Sequence, residues 1–197
     1  MDRSLALIFL LALSGAPCAA CPAWDRLPVK LFNDADAGIG ILNSAKSEAA
    51  WLLKSLCIEV VWVPCPVITV ANLVPCQAPP GAIELHVISN TTSSDVTANS
   101  LGIALPNRVS RPAAVFLARV QRLAAMNDGI IDVGGLLGNV MAHEIGHLLL
   151  QSTAHSQAGL MRAEFSRSDL KKAAQRQLRF NNEQVESIRR SLLARRR

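Results

Sequence analysis

Residues 143–161 read HEIGHLLLQSTAHSQAGLM, and three of the four histidines in the chain lie there. No other stretch limits the possible folds as sharply. The first five residues are HExxH, which on an α-helix sets His143 and His147 one turn apart on the same face. Their rings are then about 6 Å apart along the axis and can grip one metal ion together. Glu144 sits one position round the helix, where its carboxylate can reach a water at the ion without being a ligand. Val140, Ile145, Leu148 and Leu149 supply an apolar face that would bury such a helix. An open zinc site needs a third protein ligand. His155 is one candidate, yet in an unbroken helix it would lie about 12 Å beyond His147. The helix must therefore stop between the two. Gln151-Ser152-Thr153 is a poor helix former and permits that. Glu164 and Asp169 are the other candidates for the third position. Glu164, seventeen residues after His147, would give two His and one Glu.

Upstream, the pattern alternates between strands and helices. Leu27 to Asn33 alternates apolar and polar residues and predicts a strand. Ile39 to Leu56 has helical spacing. Cys57 to Val63 (CIEVVWV) is β-branched and apolar, and predicts a buried strand. Pro64 to Pro80 carries five prolines and predicts a loop, with a short strand at Val67–Val70. Ala82 to Ile88 and Leu101 to Leu105 are further strands. Ala113 to Ala118 reads as another, although the segment up to Met126 also fits a helix. Val133 to Leu150 is the helix with HExxH. Two amphipathic helices follow. One starts near Ser166 or Ser168, with Leu170, Ala174 and Leu178 on one face. The other starts after Asn181 or Asn182, with Val185, Ile188, Leu192 and Leu193 on one face. No repeat or low-complexity linker interrupts this order. The expectation is one domain over 21–197, its sheet and active-site helix in 21–151 and its ligand loop and terminal helices in 152–197.

Residues 1–20 have the form of a secretory signal peptide: an apolar run from Leu5 to Leu13, then small residues up to Ala20. A hydrophobic anchor, or a lipid anchor at Cys21, are the alternatives. Export to a secreted or periplasmic location fits the four remaining cysteines, an even number without CxxC spacing. Cys65 and Cys76 flank a short loop and are expected to form a disulfide. Cys21–Cys57 is the complementary pair, with a buried free thiol at Cys57 as the other reading. No prosegment is expected between leader and first strand. Residues 162–197 hold eleven of the 20 Lys and Arg and only four of the 15 Asp and Glu. Their apolar residues keep helical spacing, and Phe165 and Phe180 are the only aromatic residues among the charges. Solvated helix faces are expected, not nucleic-acid binding. No apolar run reaches the roughly 18 residues of a membrane span.

His143, Glu144 and His147, followed by His155 and by Gly159-Leu160-Met161, resemble the metzincins, whose signature is HExxHxxGxxH and a Met-turn. The preceding order of strands and helices is also similar to that family's upper half. The third histidine comes two residues later than in the signature, and Leu150 stands where the family has glycine. The resemblance implies a zincin-like α+β fold: a twisted mixed β-sheet packed on an N-terminal helix and an active-site helix, with a small helical C-terminal subdomain. It implies an exported zinc endopeptidase with one Zn2+ on His143, His147 and His155, Glu144 as general base, and Met161 in the Met-turn. It also implies that Gly102, Ile103 and Ala104 form an edge strand to which an extended peptide or protein substrate adds. A monomer is expected. The chain has no tyrosine to stabilise an oxyanion, which leaves Arg162 or His86. Two further readings stay open: a zincin scaffold that binds zinc or peptide without turnover, and a structural protein with a fortuitous HExxH.

Overall fold

The computed structural model describes residue 21 and residues 25–66, 75–91 and 96–195. The expected leader, the strand at Val67–Val70 and part of the polar stretch after Ser89 lie outside the described residues.

Five strands form one sheet: β1 (Asp25–Asn33), β2 (Ile58–Cys65), β3 (Ile83–Ile88), β4 (Gly102–Ala104) and β5 (Pro112–Phe116). Their order is β2-β1-β3-β5-β4, parallel except for β4, which runs antiparallel to β5. The sheet is mixed, as expected, and the chain is of the α+β class. Helix α1 (Ile39–Lys54) crosses from β1 to β2, and α2 (Leu117–Ala125) follows β5 directly. The long helix α3 spans Val133–Leu150, and α4 (Arg167–Ala174) and α5 (Asn182–Arg195) close the chain.

Period-two alternation aims one side of each central strand at α1 and α3. Val29, Ile83, Leu85, Val87 and Val115 are fully buried there, against Leu52 and Leu53 of α1 and Leu137, Met141 and Ile145 of α3. The two helices lie unusually close. A Cβ on Gly134 would stand 2.6 Å from Cβ of Ser44, and one on Gly138 2.6 Å from the Ala45 carbonyl oxygen. Gly134-x-x-x-Gly138 is therefore a flat stripe that lets α3 settle onto α1. Asp132 caps α3 by accepting a hydrogen bond from the Gly135 amide at 2.9 Å.

Several expectations need correction. The β2 segment is a sheet edge rather than a buried strand, because among the described residues only β1 pairs with it; its residues after Ile58 are half-exposed or exposed. The stretch after Pro112 is both strand and helix, changing at Phe116–Leu117. In α4 the inward residues are Leu170 and Ala173; Ala174 ends the helix exposed, and Leu178 is buried from the loop beyond it. In α5, Ile188 is fully buried but Leu193 is 59% exposed. Both expected disulfides, Cys21–Cys57 and Cys65–Cys76, are present, so the alternative of a free thiol at Cys57 falls away. Among the described residues no helix is long and apolar enough to cross a membrane.

Candidate metal centre

Helix α3 delivers His143, Glu144 and His147 to one end of a cleft of about 680 Å³. All three side chains are buried. The helix then stops as its sequence demands, although no glycine ends it. Gln151 adopts a left-handed conformation (φ 53°, ψ 37°), and its amide donates to the His147 carbonyl. The turn thus falls one residue after the place of the family's glycine, which accommodates a later third histidine. Beyond it the chain doubles back. The Ser156 amide donates to the Met161 carbonyl at 2.8 Å, and the Leu160 amide to the Arg179 carbonyl at 2.7 Å. Gly159 has φ +80°, and a Cβ there would meet the Arg179 carbonyl oxygen at 2.7 Å, so the turn needs glycine.

This reversal brings His155 onto the other two histidines. His147 Nε2 lies 3.0 Å from His143 Nε2 and 3.3 Å from His155 Nε2. The facing sides of the rings are set by hydrogen bonds on their far sides. His143 Nδ1 donates to the Leu160 carbonyl at 2.7 Å, and His147 Nδ1 to the Ser152 carbonyl at 2.8 Å. A carbonyl oxygen only accepts, so both protons sit on Nδ1, and a neutral ring then presents a bare lone pair at Nε2. Lone pairs crowded this closely repel one another unless a cation lies between them. Nitrogens each about 2.0–2.1 Å from a shared tetrahedral zinc are separated by about 3.3 Å, so the donor set fits such an ion. Burial disfavours the protonated form of the imidazoles. It lowers the His143 pKa to about 3, helped by the neighbouring His147, and it lowers His147 and His155 as well.

Glu144 faces the same cleft from against β4. A Cβ on Gly102 would lie 2.6 Å from Glu144 Oε1 and 2.7 Å from the Ala114 carbonyl oxygen. Gly102 is thus the notch in β4 that admits the carboxylate. Burial pushes the Glu144 carboxyl up to about 8. Met161 is 1% exposed and packs against α3 at Gly146, where a Cβ would meet its Sδ at 2.6 Å. The edge of Phe165 stands against the His143 ring, with centroids 6.1 Å apart.

The remaining candidates are occupied elsewhere. Glu164 lines the cleft and accepts a hydrogen bond from Asn99 Nδ2 at 3.2 Å, apart from the imidazole group. Asp169 is a structural cap. Its Oδ2 accepts from the Ser166 amide, the Ser166 hydroxyl and Arg162 Nη1 at 2.9, 2.6 and 3.0 Å. Arg162 lines the cleft but is paired in this way with Asp169. His86 lies on β3, stacked on Phe32 and hydrogen-bonded to Asp34 at 2.7 Å, outside the cleft lining. Sequence reasoning missed Gly146, Gly134 and Gly138. Their signal was four glycines in the first fourteen residues of a buried helix, which propensity alone disfavours.

No protein-family model and no curated protein sequence matches the chain. The fold does have neighbours among solved structures. It is similar to archaemetzincin from Methanopyrus kandleri, with TM-score 0.56 and 17% identity, over 85% of this chain and 96% of that one. It is also similar to metalloproteinase-II from Bacteroides fragilis, with TM-score 0.50 and 13% identity, over 84% of this chain and 53% of that one. The chain spans about half the length of the second protein. The fold is thus zincin-type and metzincin-like, as the resemblance implied, and α3 and the loop after it bring three histidines together.

Proposed function

We propose that this chain is an exported zinc-dependent endopeptidase. One observation carries the reading: the imidazoles of three histidines and the Glu144 carboxylate converge in one open cleft. His143, His147 and His155 would hold a single zinc ion, which when bound supplies the Lewis acid for attack on a peptide carbonyl. Glu144 takes the proton of the attacking water on a carboxylate oxygen and passes it to the leaving amine. Leu160 and Ser152 carbonyls hold the imidazoles in the metal-binding tautomer. Met161 forms the floor under the two helix histidines. β4 is the sheet edge beside Glu144, with Gly102, Ile103 and Ala104 available to pair with an extended substrate. The two disulfides favour an oxidising compartment.

The test is zinc analysis together with a peptide-library cleavage assay. One zinc per chain and internal cleavage are expected. Glu144→Gln should keep the zinc and lose about 10²–10⁴-fold in rate. A zinc-loaded parent that cleaves nothing in the library would favour the non-hydrolytic binding protein instead.

A further inference from the structure

Helix α2 forms one wall of the cleft, and its two faces differ. Leu117, Val120 and Ala124 are buried in the core. Arg119, Arg122, Leu123 and Met126, three or four residues apart, line the cleft. The wall stands against the start of β4, since the Phe116 amide donates to the Leu101 carbonyl at 2.8 Å.

Neither guanidinium on this wall has an ion-pair partner among the described residues. Arg119 Nε donates to Asn90 Oδ1 at 2.9 Å, and its Nη1 to the Thr97 and Ser100 carbonyls at 2.8 Å each. These acceptors are neutral. They fix Arg119 as the anchor of the loop before β4 without cancelling its charge. Arg122, one turn on, is exposed and has no side-chain hydrogen bond or ion pair among the described residues. Among the described residues, the carboxylates that line the cleft are already placed: Glu144 is buried against Gly102, and Glu164 accepts from Asn99. Leu123 is half-buried and Met126 is 71% exposed, so an apolar shoulder flanks the free charge.

We infer that the α2 wall is a subsite for an acidic substrate side chain, and that Arg122 selects it. The carboxylate of a substrate Glu or Asp would meet the free guanidinium, while its methylenes lie on Leu123 and Met126. Arg119 adds to the positive field and holds the rim. The inference rests on the peptidase reading and names the substrate class for it: peptides with an acidic residue within a few positions of the scissile bond.

The test uses labelled peptides that differ only by Glu, Gln or Lys at each position in turn. Binding is read by fluorescence anisotropy on the zinc-loaded Glu144→Gln protein, and cleavage on the parent. At one position Glu should bind roughly three- to fivefold tighter than Gln. Arg122→Gln should erase that difference, and Arg122→Glu should turn it in favour of Lys. Arg122 is exposed, so circular dichroism should show both variants folded like the parent. Equal binding of all three peptides at every position, no peptide binding at all, or an acidic preference that survives Arg122→Glu would each overturn the subsite. The two readings fail separately. Charge-selective binding by a parent that cleaves nothing leaves the subsite standing and removes the hydrolase, whereas cleavage indifferent to charge does the reverse.

Discussion

Individual side chains at this centre are held by partners that the HExxH pattern does not reveal. The imidazole tautomers depend on the Leu160 and Ser152 carbonyls, and Leu160 is in turn held by Arg179. Glu144 depends on the absence of a side chain at residue 102. Gly102→Ala should therefore shift the carboxylate while the zinc ligands stay in place. The expected outcome is normal zinc content with kcat/KM reduced about 100-fold, the cost of a misplacement near 1 Å. Asp169 leads to a different prediction. Burial pushes its carboxyl up, but the Ser166 hydrogen bonds and the charges of Arg162 and Lys172 outweigh that, and its pKa lies below the ordinary value. A lowered folded pKa stabilises the protein above the carboxylate range and loses that contribution as pH falls through the folded value. Asp169→Asn should cost about 1–2 kcal/mol at neutral pH. In thermal melts the gap from the parent should close in strong acid. A gap that persists unchanged there would contradict the assignment.

Among the elements, α3 was the most legible, because periodicity and the need for a break agreed. Its observed limits are the expected ones. What periodicity could not show was the manner of its ending. Gln151 takes the left-handed conformation that costs a non-glycine residue about 1–2 kcal/mol. Gln151→Gly should relieve that strain, less the entropy glycine adds to the unfolded chain, and raise Tm by a few degrees; a fall in Tm would show that the Gln151 side chain itself supports the turn. Strand β2 was misjudged because a β-branched run reports strand character but not position within a sheet. The α4 face was misjudged because the helix is only eight residues long, too short for its period to exclude the following loop.

In the molecule as a whole, sheet and loops meet where three imidazoles come together, with Glu144 buried beside them. An ion that binds the folded chain and not the unfolded one should stabilise it by about 4 kcal/mol when free zinc is a thousandfold above Kd. Chelation should lower the parent's Tm accordingly, and His143→Ala should be nearly indifferent to the chelator. A parent whose melting ignores both zinc and chelator would argue against a resident ion. The disulfides bind the two ends of β2 independently of this, Cys57 to Cys21 and Cys65 to Cys76.

Local chemistry was readable from the residue order alone. The i, i+4 spacing put two histidines on one helical face, eight further residues required a chain reversal, and alternation marked the central strands. These signals depend on neighbours a few positions apart, where helix and strand periods act directly. Other features required the assembled chain: which third side chain reaches the histidines, which strand lies at an edge, and why glycine stands at 102, 134, 138 and 146. Each of these depends on what another segment, distant along the chain, presses against that point. Close packing between elements is a property of surfaces in contact, and no single segment carries it in its own residue pattern.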